Sequence, residues 1–296
     1  MKNRHLESLG AILTDELRAD SPLILTSPSD IGVRRNLGRN GSRFAPEAIL
    51  GNLKKLQNHL SFPAIGMKKV SSQNLEIKNF EKAQIEEIES IKSTLEKNNY
   101  NRTIHLGGGH DHIYPLLAAL PYNEKQIIIL NLDAHCDTRA DDHRHSGTPF
   151  RNFDELSPRN SHLIQIGVHK YANSASTLKD LKSIKQTHIY KENFSDAELL
   201  AQASKVLDQI KISDDAIFVL SLDADGLSAQ EMEAVSAPNH NGFGQSLVRN
   251  LTKELRSKFG KHQQVFGIYE YNPIFDNLSQ KGSRLIASLM YEFLEG

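Results

Sequence analysis

The stretch "QIIILNLDAHCDTR", residues 126–139, decides the fold class. Its first half is apolar without alternation, which suits an interior strand of a parallel sheet covered by helices on both faces. Its second half delivers Asp133, His135 and Asp137 at alternate positions. If the backbone stays extended, these side chains share one face, so two carboxylates and an imidazole converge just where the strand ends. Unneutralised, that cluster repels itself, and something must hold it together.

The same pattern continues on either side. Apolar strand-like runs alternate with helix-period segments, the arrangement of βα units that build a parallel sheet. Strands are expected at "PLILT" from 22, "MKKV" from 67, "TIHL" from 103, "QIIILNL" from 126, "HLIQIGV" from 162, "THIY" from 187, "AIFVLSL" from 216 and "QQVFGIY" from 263. Helices are expected over 46–58, 78–98, 112–120, 195–210, 243–258 and 279–294, the second carrying apolar residues at helical spacing among charges. Three long segments, 28–45, 138–161 and 228–242, have no clear pattern and are polar and rich in Gly, Ser and Arg. Loops of that length in a compact α/β fold are usually functional or disordered. At 296 residues with no repeat or linker, one large α/β domain, 1–296, is the expectation.

Composition narrows the partners. A formal net charge of −1 with mixed signs leaves no broad basic field for nucleic acid or an anionic membrane, so a small, localised ligand is expected. Cys136 is the single cysteine, which excludes an internal disulfide framework, and packing behind the site is its expected job. The opening "MKNRHLESLGAILTDEL" lacks the apolar core of a secretory signal, and no apolar run approaches the roughly 20 residues of a membrane span. A cytoplasmic location follows as the expectation.

Three further clusters share the placement of the first. "TIHLGGGHDH" brings His110 after a strand and three glycines, "AIFVLSLDADG" ends in Asp223 and Asp225, and "QVFGIYEYNP" ends in Glu270. Ligands of open parallel sheets bind outside the carboxyl ends of the strands, so these groups can meet at one edge. Alone, an Asp-x-Asp after a strand is more often a cap or turn. Four strand ends carrying metal-type ligands are a far less probable accident. The inventory is two imidazoles, His110 and His135, and four carboxylates, Asp133, Asp137, Asp223 and Asp225. Six such ligands exceed a four-coordinate zinc site and suit two harder divalent ions, manganese first. Two dications balance four carboxylates and turn their repulsion into attraction. Paired metals about 3.5–4 Å apart share one water and lower its pKa, so the implied chemistry is hydrolysis.

These residues resemble the ureohydrolase superfamily of arginases, agmatinases and formimidoylglutamases. "GGGHD", "DAHCD" and "SLDADG" look like its three metal-binding motifs, and "IYEYNP" like its substrate-side glutamate segment. The resemblance implies a three-layer α/β/α domain with a mainly parallel, roughly eight-stranded sheet, two Mn²⁺ ions, and a homo-oligomer, trimer or hexamer with dimers also occurring. Formimidoylglutamase is the nearest branch. "GVRRNLGRNGSRFAPEAI" resembles its arginine–asparagine–glycine signature and offers Arg35, Asn36 and Arg39 as substrate-side residues. The third glycine of "GGGHD" stands where arginases and agmatinases carry aspartate, and "VSAP" at 235–238 also looks like this branch. "HSGTPF" places Ser146 where the siblings have a catalytic or substrate-contacting histidine, with His145 one residue earlier as the candidate to replace it. Leu37, Ala45, Leu50 and Ala234 depart from the usual pattern; all six ligand positions are intact.

The implied reaction is hydrolysis of N-formimidoyl-L-glutamate to L-glutamate and formamide, a step of histidine degradation. Its two carboxylates call for arginines, whose planar fork holds a carboxylate by paired hydrogen bonds. Loop 28–45 supplies Arg34, Arg35, Arg39 and Arg43; Arg139, Arg144 and Arg151 follow the ligand triad, and Arg139 is only two residues beyond Asp137. In the expected mechanism a hydroxide between the metals attacks the formimidoyl carbon. Glu270 pairs with the cationic amidine, and Asp137 passes the proton to the leaving nitrogen. The rival readings are a guanidino hydrolase of arginase or agmatinase type that releases urea, and a metal-binding member without catalysis.

Overall fold

In the computed structural model, which describes residues 7–71, 79–97, 100–158 and 160–295, a single sheet of nine parallel strands runs through the chain. The strands are β1 (Leu13–Thr14), β2 (Leu23–Ser27), β3 (Ile65–Lys69), β4 (Arg102–Gly107), β5 (Ile127–Leu132), β6 (His162–Val168), β7 (Lys185–Tyr190), β8 (Ile217–Asp223) and β9 (Gln263–Tyr269). Their spatial order is β1-β3-β2-β4-β9-β8-β5-β6-β7. The strand beyond the expected eight is β1, whose two residues are too short to register as a periodic run.

Every residue of β5 and β8 is buried, as interior strands with helices on each face require. The edge strand β7 instead carries exposed or half-buried residues at most positions. Ile128, Leu130 and Leu132 of β5 point into one apolar core, and Ile127 and Ile129 into the other. The first core is closed by α2 (Ala45–Leu53), α6 (Asp196–Gln209), α7 (Gln245–Phe259) and α8 (Lys281–Glu295). The second is closed by α3 (Phe80–Leu95), α4 (Ile113–Ala119) and α5 (Pro149–Asp154). Each fully buried Leu or Ile stabilises this three-layer arrangement by roughly 1.5–3 kcal/mol.

The expected helices form with ends shifted by a few residues; positions 78 and 98 of the expected 78–98 lie outside the described residues. The start of α6 shows why one end was readable. Ser195 Oγ accepts the Glu198 backbone N–H while the Glu198 carboxylate accepts the Ser195 N–H, a reciprocal cap. Two of the segments expected as loops hold short helices: α1 (Ile31–Arg35) lies within 28–45, and α5 within 138–161. Both are too short for an apolar period to show. Segment 228–242 holds neither helix nor strand beyond isolated bridges.

Strands β4 and β5 are consecutive in sequence, but β9 and β8 lie between them. Connections leave this point in opposite directions, opening a crevice at the carboxyl ends of the four central strands.

Candidate metal centre

The four central strands end in the residues that the sequence singled out. His110 follows β4 in a 3-10 turn, Asp133, His135 and Asp137 follow β5, Asp223 closes β8 with Asp225 just beyond, and Glu270 follows β9. Ligand-type atoms of His110, Asp133, Asp137 and Asp223 lie within 4.8 Å of one another, and so do those of Asp133, His135 and Asp225. Asp133 belongs to both groups.

Local turns fix these directions. Asp133 Oδ1 accepts the His135 N–H at 2.7 Å, and Asp223 Oδ1 accepts the Asp225 N–H at 2.9 Å, so each leading aspartate turns the chain over its own carboxylate. His110 Nε2 lies 2.9 Å from Ser221 Oγ, which turns Nδ1 toward the carboxylates. Nδ1 is 2.8 Å from Asp137 Oδ2, 3.1 Å from Asp223 Oδ2 and 3.3 Å from Asp133 Oδ2, yet meets none at a hydrogen-bonding angle. His135 Nδ1 lies 3.4 Å from Asp225 Oδ1 and 3.5 Å from Asp133 Oδ1. Asp225 Oδ1 is likewise buried without a hydrogen-bond partner. Each group thus holds one buried ligand atom without a hydrogen-bond partner, His110 Nδ1 among three carboxylates and Asp225 Oδ1 beside His135, and the groups share Asp133. That donor set fits a pair of divalent cations joined by one carboxylate.

The electrostatics agree. Burial would strip His110 of its proton, but the surrounding Asp133, Asp137 and Asp223 hold it well above the usual imidazole range. His135 is raised chiefly by Asp225. Burial would raise Asp133, yet His110 and His135 pull it down to about 2. Burial and the Asp133 charge raise Asp137; burial and the Asp225 and Asp133 charges raise Asp223. These shifts share one cause, the crowding of buried carboxylates, which bound divalent cations would relieve. Burial also pushes Glu270 up to about 8; its Oε1 accepts the His110 N–H at 2.9 Å, and its own N–H donates to the Gly108 carbonyl.

A cavity of about 820 Å³ opens above the cluster. His135, Asp137, Asp223, Asp225 and Glu270 form its floor, and Asn36, Arg139, Asp141, Ser146 and the stretch Asn173, Ser174, Ser176 and Thr177 contribute to its walls. Arg139 donates to Asn36 Oδ1 at 2.7 Å and pairs with Asp141 at 2.5 Å, while Asn36 Nδ2 donates to Ser146 Oγ at 3.1 Å. Arg35, Arg39 and His145 are not among the residues that line this cavity. Arg35 donates to the Arg144 carbonyl and lies over the Phe80 ring; Arg39 lies over Phe275. His145 accepts the Gly147 N–H on Nδ1 at 3.0 Å, so its Nε2–H donates to Asp141 at 2.7 Å and both ring nitrogens are committed. Sequence reading missed Asp141, which ties His145 to Arg139; its position two residues after Arg139 was the available signal. The hydroxyl and amide wall at 173–177 carried none.

The arginase-family sequence profile matches residues 21–295. The formimidoylglutamase of Citrobacter koseri is 30% identical over 289 residues, covering 95% of this chain and 87% of the relative. That of Klebsiella pneumoniae subsp. pneumoniae is 33% identical over 276 residues, covering 89% and 81%. Among solved structures, Trypanosoma cruzi formiminoglutamase with Mn²⁺ superposes with a TM-score of 0.76 at 21% identity, covering 97% of each chain. Bacillus subtilis formimidoylglutamase gives 0.82 at 18% identity, covering 97% of this chain and 91% of its own. With the profile spanning nearly the whole chain and relatives at this identity over most of their length, the chain belongs to the arginase family of amidine-cleaving hydrolases.

Proposed function

We propose that this enzyme hydrolyses N-formimidoyl-L-glutamate to L-glutamate and formamide with two Mn²⁺ ions. The ions would be held by His110, Asp133, Asp137 and Asp223 on one side and by Asp133, His135 and Asp225 on the other. The observation that carries this reading is buried Asp133 shared by two ligand groups at the floor of a cavity whose wall presents Arg139. The curated relatives of this chain are formimidoylglutamases, and a structural neighbour contains Mn²⁺.

Bound divalent ions would lower the pKa of water and polarise the amidine for attack. The chain's own residues do the rest. Glu270, fixed through the His110 backbone, offers its second oxygen to the cationic amidine and orients the carbon toward the cluster. Asp137 is positioned to hold the proton released by the attacking water and return it to the leaving nitrogen. Arg139, held by Asn36 and Asp141, presents cationic N–H groups to a substrate carboxylate, and Ser146 with the 173–177 wall supplies neutral donors for the remainder. His145 would act through Asp141, to which its Nε2–H donates.

The proposed setting is a small acidic substrate and a homo-oligomer in the cytoplasm, with neither nucleic acid nor membrane as partner. No helix among the described residues is long and apolar enough to cross a membrane. The deciding experiment offers purified chain loaded with Mn²⁺ three substrates: formimidoylglutamate, arginine and agmatine. Formamide and glutamate from the first alone are expected. Urea from either of the others would overturn the substrate assignment, and silence on all three would favour a non-catalytic member.

A further inference from the structure

Behind the ligand cluster lies a second buried polar system that the hydrolytic reading does not use. Tyr269, the last residue of β9, is buried, and its ring lies across the backbone of two neighbouring glycines. A Cβ at Gly107 would stand 2.5 Å from the ring, and one at Gly267 would meet the phenol oxygen. There the ring stacks on the His110 imidazole, with centroids 5.0 Å apart and planes inclined by 23°. The Tyr269 hydroxyl is 3.0 Å from His105 Nδ1, His105 Nε2 is 2.8 Å from Ser27 Oγ, and Ser27 Oγ is 2.5 Å from Glu87 Oε1.

The direction of this chain is forced. Ser27 has one proton, and it goes to the Glu87 carboxylate, so Ser27 Oγ must accept from His105 Nε2–H. Burial pushes His105 down to about 4, so the ring is neutral at ordinary pH and its Nδ1 is bare. Tyr269 therefore donates to it. At the far end, both Glu87 oxygens lie 2.9 Å from His112 Nδ1, which anchors the carboxylate. Every member is buried and drawn from a different element: β9, β4, β2 and α3. The phenol ring cannot swing away from His110 without abandoning a hydrogen bond in a site closed to water.

We propose that Tyr269 is a positioning residue for His110, braced through His105 and Ser27 to Glu87, and that it sets the affinity of one metal position and not the other. The inference rests on the two-metal reading of the centre. Its selectivity follows from the asymmetry of the two groups. His110 belongs only to the set with Asp133, Asp137 and Asp223, and it is confined by Tyr269 on its face, Phe150 at its edge and Ser221 at Nε2. His135, in the other set, has a side chain 34% exposed and lies against Asp133 and Asp225.

The test is calorimetric titration of the metal-stripped full chain with MnCl₂, alongside electron paramagnetic resonance to separate single from exchange-coupled Mn²⁺. The unmodified chain is expected to take up two ions and give the coupled spectrum. Tyr269→Leu should keep one ion at unchanged affinity and bind the other about tenfold more weakly or worse, the usual effect of removing an outer support of a metal ligand. One equivalent then gives the six-line spectrum of isolated Mn²⁺. Tyr269→Phe keeps the ring and loses only the hydroxyl, so it should fold like the parent and weaken the same ion roughly two- to tenfold, the worth of one buried hydrogen bond. Unchanged titration in Tyr269→Leu, or equal weakening of both ions, overturns the inference; unchanged titration in Tyr269→Phe overturns the role of the hydrogen-bond chain. An unmodified chain that takes up no pair of ions defeats the metal-centre reading itself, a failure visible before any variant is made.

Discussion

Glu270 and Asp137 both stand in left-handed backbone conformation, with φ of 62° and 49°. That conformation costs an ordinary residue about 1–2 kcal/mol, and it persists where surrounding contacts over-determine it. At Glu270 the contacts are its N–H to Gly108 and its carboxylate to the His110 N–H; they hold the side chain at the cavity floor. Burial favours a protonated Glu270, and a cationic amidine bound against it would favour the carboxylate; Glu270→Gln keeps the shape and removes that charge. We expect kcat to fall by about 10²-fold or more while Mn²⁺ uptake stays at two, measured by steady-state kinetics and metal analysis. Arg139→Met should instead act on binding. Losing a charge-assisted hydrogen bond raises KM for formimidoylglutamate roughly 10- to 100-fold with a smaller change in kcat. An unchanged KM would remove Arg139 from the substrate wall. At this scale the ligand aspartates and histidines were legible because each stands at or just beyond a strand end, but turns set their directions, His110 in a 3-10 turn and Asp137 at positive φ, where the sequence suggested extended alternation. Among the arginines, Arg139 is placed by its nearness to Asp137, but those of loop 28–45 were not legible. Arg35 and Asn36 are neighbours at the end of the five-residue α1, and one helical step turns Arg35 to Phe80 and Glu81 while Asn36 faces Ser146 and Arg139.

Helix α3 reads from its sequence as an amphipathic surface helix, yet it carries Glu87 into the interior. Burial would raise this carboxylate, but His112, His105 and Ser27 together hold it below its usual range. The sign of its stability contribution follows. A depressed carboxylate stabilises the fold at pH above its unfolded value near 4.5, and that contribution is lost as pH falls through the lower folded value. Melting of the metal-free chain followed from pH 7 to pH 3 should show stability dropping steeply below 4.5. In Glu87→Gln the buried His112 loses its closest counter-charge, leaving Asp111 at 3.8 Å, so the variant should be less stable at pH 7 by about 3 kcal/mol, with the gap closing in acid. Parallel melting curves for the two proteins across that range would refute the account. The period of α3 announced a helix and a buried face, but not that a glutamate on that face would meet a histidine from a turn 25 residues away. Pairings of that kind depend on how layers stack, which no local pattern encodes. The same holds for α5, where Thr148-Pro149 was the available start signal but six residues give too little period to confirm it.

For the molecule as a whole, the sheet order brings four carboxylates together at the crevice between β4 and β5, so cation binding there would be coupled to folding. Strand order was not legible from separate strands, although the rule that ligands gather at carboxyl ends located the edge at which they meet. A centre assembled from β4, β5 and β8 exists only when those strands are in register, and ions that bind it stabilise the folded chain alone. At a free concentration of a thousand times Kd, each ion contributes about 4 kcal/mol. Stripping the chain with a chelator should therefore lower Tm by many degrees, and Mn²⁺ should restore it. Sodium chloride at equal ionic strength should not, because mobile salt screens buried charges poorly. The shared ligand gives the sharper form of the prediction. Asp133 serves both groups and Asp225 only one, so Asp133→Asn should abolish the Mn²⁺-induced rise in Tm, whereas Asp225→Asn should retain about half of it. Equal losses in the two variants would mean that the ions, if bound, do not share Asp133, and the paired arrangement would have to be abandoned.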